Sequence, residues 1–257
     1  MTPQEIKDKQ FEDLVRKLGL DDVAEKAGLI NPVDTVLNRI ITQASEMLVI
    51  KDTVRKLAPA KIPVLILGET GTGKELIAQA LHAGRKGKFV PVNCSGIPDS
   101  LLEAEFFGCV KGAYTGAYAD RMGYVEEATE GTLFLDEIGD MPPLLQSKLL
   151  RLLQSRKYRR VGDVKERDSN FRLVSATNVK NLVCHQSFRR DLYYRLAGTT
   201  ISLPELRHRV GDRELIIKEF AKEEYRERLI NLTATMDFSG NVRELLNKIE
   251  EVNVLGL

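Results

Sequence analysis

Residues 62–83 constrain the fold more than any other stretch. An apolar run, Ile62-Pro63-Val64-Leu65-Ile66-Leu67, is followed by Gly68-Glu69-Thr70-Gly71-Thr72-Gly73-Lys74 and then by a helical pattern to about Ala83. A short apolar run bounded by turn residues reads as a buried strand, and the G-x-x-x-x-G-K spacing sits between that strand and a helix. The glycines let backbone N–H groups converge on phosphate oxygens. The helix N-terminus adds a favourable field, and Lys74 can reach the terminal phosphates. A chance glycine-rich turn has no reason to fall between strand and helix. Glu75 occupies the position where a Ser or Thr would ligate Mg²⁺. It either acts through water or faces away.

A buried strand needs partners on both sides. Phe89–Asn93, Thr132–Asp136 and Phe171–Ala176 have the same apolar character, with helical stretches such as Leu144–Leu153 between them. Strands alternating with helices imply an α/β fold: a parallel sheet flanked by helices. From Asp212 onward the pattern is helical only. Three parts are therefore expected: an N-terminal helical extension over 1–37, an α/β core over 38–205 and a short helical lid over 206–257. Within the extension, Phe11, Leu14, Val15 and Leu18 share a helical face that Gly19 ends, and Asp21 can cap a second helix stopping near Gly28. Asn31-Pro32 marks a turn, and a longer helical segment is expected from Val33 to about Leu57.

Asp136 and Glu137 close the strand Thr132–Asp136, at the edge where open parallel sheets bind ligands. Asp136 can hold Mg²⁺, and Glu137 can orient or deprotonate an attacking water. Alone, such a pair is equally well a solvated strand end; the phosphate loop upstream favours the catalytic reading. Thr177-Asn178 follow the fourth strand and can hydrogen-bond a γ-phosphate or the water, although both are common turn residues. Arg189 and Arg195 lie six residues apart on a helical stretch and are candidates for guanidiniums supplied to a γ-phosphate, often from a neighbouring subunit. Arginine-rich helix faces are more often simply solvated. Arg243, in Gly240-Asn241-Val242-Arg243, opens a helix in the lid and can reach back across the cleft.

Together these motifs resemble the AAA+ domain of bacterial enhancer-binding proteins, the NtrC-type activators of sigma-54 RNA polymerase, over about residues 38–253. The most specific likeness is Gly112-Ala113-Tyr114-Thr115-Gly116-Ala117, similar to that family's GAFTGA loop. The phosphate loop including Glu75, Gly131–Asp140, Ser175–Asn178 and Leu203-Pro204-Glu205-Leu206-Arg207 are similar as well. The resemblance implies ATP and Mg²⁺ as ligands and a homo-oligomeric ring, a hexamer. In that ring Arg189 and Arg195 act in trans, Asn93 holds Glu137 until nucleotide is sensed, and Arg243 is a second sensor. It also implies that the 112–117 loop engages sigma-54 to remodel closed RNA polymerase complexes. Tyr114 supplies an aromatic tip that can bury in a partner, and Thr115 a compact polar contact.

The sequence departs from that family in places. The loop's approach reads Gly108-Cys109-Val110-Lys111 instead of Gly-His-Glu-Lys. Phe238-Ser239 stands for Trp-Pro, residues 212–240 are shorter than usual, and Ile40–Met47 lacks the Gly and Pro of the family's entry motif. No receiver domain or C-terminal helix-turn-helix is recognisable in the 257 residues. Lys and Arg number 38 against 37 Asp and Glu, which excludes a strongly basic nucleic-acid binder. Leu20–Leu29 with Val33–Ile41 is similar to a helix-turn-helix, but Asn31-Pro32 sits in the turn and an amphipathic capping helix is the plainer account, so DNA contact is expected to be indirect or weak. No apolar run approaches the ~18–20 residues that span a bilayer. Cys94, Cys109 and Cys184 fit neither a zinc site nor a disulfide framework, so a cytoplasmic setting is expected. Two rivals stand beside the leading reading. One is an AAA+ remodeller with a different protein client. The other is a nucleotide-switched regulator with little turnover.

Overall fold

The computed structural model describes residues 30–95 and 99–256. Its centre is a five-stranded sheet in the order β2-β3-β6-β1-β7. The strands are β1 (Val64–Leu67), β2 (Phe89–Asn93), β3 (Thr132–Asp136), β6 (Arg172–Thr177) and β7 (Thr199–Ser202), and every pairing is parallel. Successive strand residues point to opposite faces. Leu65, Leu133, Leu135 and Leu173 therefore enter one core with Phe106, Leu149 and Leu192. Val64, Ile66, Phe134 and Val174 enter the other with Leu37, Met47, Ile77 and Leu81. Burial on both faces explains why these strands read as continuous apolar runs, and helices cover both sides as expected.

The helices are α1 (Pro32–Asn38), α2 (Ser45–Leu57), α3 (Lys74–His82), α4 (Asp99–Phe107), α5 (Tyr124–Glu127), α6 (Pro143–Ser155), α7 (Arg190–Leu196), α8 (Asp212–Phe220), α9 (Arg226–Leu232) and α10 (Asn241–Leu255). The last three enclose a separate apolar core of Leu206, Ile216, Ile217, Leu229, Phe238, Leu245, Ile249 and Val252. Phe238 fills the place where the resemblance led one to expect a tryptophan. This helical unit is the lid over the sheet edge where residues 68–73 lie. Among the described residues no helix is long and apolar enough to cross a membrane.

Four features differ from the sequence reading. The single helix expected from Val33 to Leu57 is two helices, α1 and α2. The buried Asp212 carboxylate accepts from Thr42 Oγ1 at 2.6 Å, Gln43 N–H at 2.7 Å and Ala44 N–H at 3.1 Å, which holds the chain extended between them. Asn31 is the cap of α1, its side chain accepting from Val33 N–H at 3.0 Å with Pro32 in the first turn, and so opens a helix directly. β7 was not anticipated, because on this edge strand only Ile201 is buried and Thr199, Thr200 and Ser202 are polar. β4 (Lys157–Tyr158) and β5 (Arg167–Asp168) form a small antiparallel pair that polar residues concealed. The helices expected within residues 1–28 lie outside the described residues.

Candidate nucleotide-binding active site

The phosphate loop is drawn tight by its own backbone. Gly68 N–H donates to Thr177 O at 3.2 Å, and Thr72 turns back on Glu69 O through its N–H at 3.3 Å and its hydroxyl at 2.7 Å. Gly71 and Gly73 have φ of 77° and 102°, a region that costs other residues strain. At Gly71 space forbids a side chain as well, since a Cβ would lie 2.1 Å from Gly240 O. Lys74 opens α3 with only 7% exposure, donating to Gly68 O at 2.9 Å and lying 3.5 Å from Glu137 Oε1. Glu69 pairs with Lys180 at 3.2 Å. Glu75 is exposed at the rim of the cleft, where its carboxylate accepts from Gln79 Nε2 at 3.2 Å.

Asp136 ends β3 in register with Asn93 on β2. Its Oδ1 accepts from Glu137 N–H at 3.0 Å, and Glu137 adopts φ of 47°, left-handed backbone that is uncommon outside glycine. That turn aims the Glu137 carboxylate across the strand ends: Oε1 faces Lys74, and Oε2 accepts from Asn178 N–H at 3.2 Å. Backbone strain of this kind collects where a side chain must be aimed. Asn93 does not hold Glu137 here. Its Oδ1 accepts from Ser95 N–H at 3.0 Å and Ser95 Oγ at 2.8 Å, although Asn93 lines the same cleft. Thr177 is buried and its hydroxyl accepts from Val179 N–H at 3.1 Å, shaping the turn that presents Asn178. Below the pair, burial first and then the charges of Asp136, Asp140 and Glu137 push the Cys94 thiol up to about 12, so it is no nucleophile.

Residues 70–75, Asn93, Asp136 and Glu137 line the polar end of a cleft of about 480 Å³ between core and lid, whereas Gly68, Glu69, Thr177 and Asn178 stand behind that lining. Its other end is apolar, lined by Ile40, Ile41, Met47, Ile216, Phe220 and Leu246, and Arg243 and Arg39 also face it. A cleft polar at one end and apolar at the other suits a flat aromatic base carrying phosphates. The sequence reading singled out none of the apolar wall as a site. The only signal for it was Ile40-Ile41, noted as part of an entry motif. Among the described residues no three His, Cys, Asp or Glu side chains cluster as a preformed metal site. The Asp136 carboxylate beside a phosphate loop fits a Mg²⁺ that takes its remaining ligands from phosphate and water.

Two expected groups lie elsewhere. Arg189 precedes α7, with its N–H donating to Gln146 Oε1 at 2.9 Å and its exposed guanidinium to Asp191 at 2.7 Å and Ser147 Oγ at 3.1 Å. Arg195 is exposed in the last turn of α7. Neither lines the cleft. The 112–117 segment is the tip of a hairpin inserted between α4 and α5. Cys109 and Arg121 exchange backbone hydrogen bonds at 3.0 and 2.9 Å across its neck, and Gly112 N–H donates to Ala117 O at 2.8 Å. Tyr114 and Thr115 are exposed, and desolvation followed by a hydrogen bond with the buried Cys109 raises the Tyr114 hydroxyl above its ordinary pKa.

The family model described as the sigma-54 interaction domain matches residues 40–202. The chain belongs to the sigma-54 interaction domain family. It is 41% identical to the transcriptional regulator VasH of Vibrio cholerae over 249 residues, which is 91% of this chain and 47% of that protein. It is 43% identical to the formate hydrogenlyase transcriptional activator FhlA of Escherichia coli over 241 residues, 88% of this chain and 35% of that protein. The domain thus spans about half or less of these curated relatives. Among solved structures it is similar to NtrX from Brucella abortus in complex with ADP, with a TM-score of 0.75, 28% identity, and coverage of 97% of this chain and 57% of that one. NtrX in complex with ATP matches with the same TM-score over 94% of this chain and 58% of that one. The likeness to NtrC-type regulators and the AAA+ architecture of core plus lid therefore hold for this domain.

Proposed function

We propose that this domain hydrolyses ATP and uses turnover to drive the 112–117 hairpin against sigma-54, remodelling closed RNA polymerase complexes so that transcription can begin. The observation that carries the proposal is the placement of Lys74, Asp136 and Glu137 around one point at the sheet edge, with Lys74 and Glu137 3.5 Å apart. NtrX, a structural relative, is known in complexes with ADP and with ATP, which supports the choice of nucleotide. Loop N–H groups and Lys74 grip the phosphates. Asp136 would hold Mg²⁺, which supplies neutralisation of phosphate charge. Glu137, already aimed by its left-handed backbone and by Asn178 N–H, orients the water and takes its proton. Arg243 approaches the phosphates from the lid.

Arg189 and Arg195 lie away from their own cleft, as side chains serving a neighbour's site would, and this supports a ring, a hexamer in our reading, in which each cleft is completed in trans. The near-neutral charge supports a motor that reaches DNA through its protein partners in the cytoplasm. The altered neck favours a second reading, the same motor with a different protein client. Where the resemblance has His and Glu, Cys109 is buried against Ala104 and Ala117. A pull-down with sigma-54 in the presence of a transition-state analogue of ATP hydrolysis separates the two. Capture supports the sigma-54 reading, and no capture transfers preference to the other client.

A further inference from the structure

Three successive carbonyls of the phosphate loop are taken up from the lid side. Asn241 Nδ2 donates to Thr70 O at 3.0 Å, Val242 N–H to Gly71 O at 3.1 Å, and Arg209 Nη2 to Thr72 O at 2.6 Å. A peptide whose carbonyl is held on one side presents the N–H that follows on the other, because the unit is planar. Fixing these carbonyls therefore fixes the directions of the N–H groups of Gly71, Thr72 and Gly73.

The residues that do this are themselves tightly determined. Asn241 is 2% exposed, adopts φ of 55°, and uses both ends of its amide, accepting from Leu206 N–H at 2.8 Å while donating to Thr70. Arg209 is 3% exposed and also donates to Pro204 O at 3.1 Å. Desolvation lowers the Arg209 pKa, an effect that Asp212 opposes. Gly71 approaches Gly240 closely enough that no side chain fits between loop and lid.

We propose that Asn241 and Arg209 are positioning residues that set the phosphate loop from the lid, so that phosphate binding and lid placement depend on each other. The inference rests on the nucleotide reading of the cleft. The apolar wall is shared by core and lid through Ile41, Ile216, Phe220 and Leu246, side chains other than those of the clasp. Loss of the clasp should thus weaken ligands in proportion to their use of the phosphate loop, whereas loss of the lid itself would weaken every ligand of the cleft.

The test is calorimetric titration of the whole chain with ADP and with adenosine, for wild type, Asn241→Gly and Arg209→Lys. Glycine tolerates the Asn241 backbone, and lysine keeps the charge while losing the guanidinium's reach and fork. Loss of one such hydrogen bond should weaken ADP roughly tenfold and leave adenosine within about twofold. ADP affinity within about twofold of wild type in both variants overturns the proposal, as does an equal fall for ADP and adenosine. If wild type itself shows no preference for ADP over adenosine, the nucleotide reading fails, and this inference fails with it.

Discussion

The cleft and the 112–117 hairpin are built in opposite ways. Around the cleft, Lys74, Thr177, Arg209, Asp212 and Asn241 are buried and bonded to residues far away in sequence, as in the Asn241–Thr70 bond across 171 positions. In the hairpin the backbone bonds of the tip close within the loop, the neck is bonded across Cys109–Arg121 and to Val161, and Tyr118 beside the tip is 87% exposed. A site that must place phosphate, carboxylate and water needs overdetermined geometry. A surface meant to dock on another protein gains more from exposed aromatic and small residues on a short tether. The tip's local bonding, above a neck anchored at Arg121 and Val161, also makes the tip cheaper to displace than the cleft.

If that contrast is right, substitutions in the two regions should separate chemistry from docking. The largest effect is expected from Glu137→Gln, which should lower turnover at least ~100-fold while retaining ATP binding. Single-turnover hydrolysis with a filter-binding assay checks it, and normal turnover would remove Glu137 from its role. Next comes Asp212→Ala, which leaves the Gln43 N–H and the Thr42 hydroxyl without their acceptor and should cost about 3 kcal/mol. Chemical denaturation measures this, and an unchanged midpoint would mean that the α1–α2 break is held by something else. Thr115→Ala should keep ATPase activity within about twofold and stability within about 0.5 kcal/mol, because Thr115 is exposed, and should abolish capture of sigma-54. A parallel loss of ATPase would erase the distinction between the regions.

The smallest effect concerns pH. The folded Cys94 thiol is raised to about 12 from an ordinary value of 9.0, so its contribution to stability is full below about pH 9 and fades as pH rises toward 12. Replacing Cys94 by Ala should flatten the alkaline limb of a stability–pH curve, whereas replacing the exposed Cys184 should not. Identical curves for wild type and Cys94→Ala would contradict the burial of that thiol beneath the acidic pair.

Much of the sheet was legible because buried parallel strands are short apolar runs with few competing interpretations. β7 escaped because an edge strand buries little, and Thr199, Thr200 and Ser202 carry the composition of a loop. The break between α1 and α2 escaped because its cause, Asp212, lies 168 to 170 residues away. The phosphate loop and acidic pair were legible because their chemistry follows from residue type and adjacency. The apolar wall of the cleft was not, because Ile216, Phe220 and Leu246 repeat at helical spacing like ordinary core residues.

By itself the sequence determined the glycine-rich strand–loop–helix, the acidic pair at a strand end, and the small-residue tip at 112–117, since each depends on residues close to one another in the chain. The tertiary structure alone decided that Glu137 is aimed by a left-handed turn at Lys74 and Asn178 rather than held by Asn93, and that Arg189 and Arg195 lie outside their own cleft. It alone decided that the lid takes hold of the phosphate loop's carbonyls. The physical reason is range. Spacing in a sequence reports bonds that a few residues can close among themselves, whereas these arrangements arise only after the chain has returned to its own beginning and satisfied groups that local structure left open.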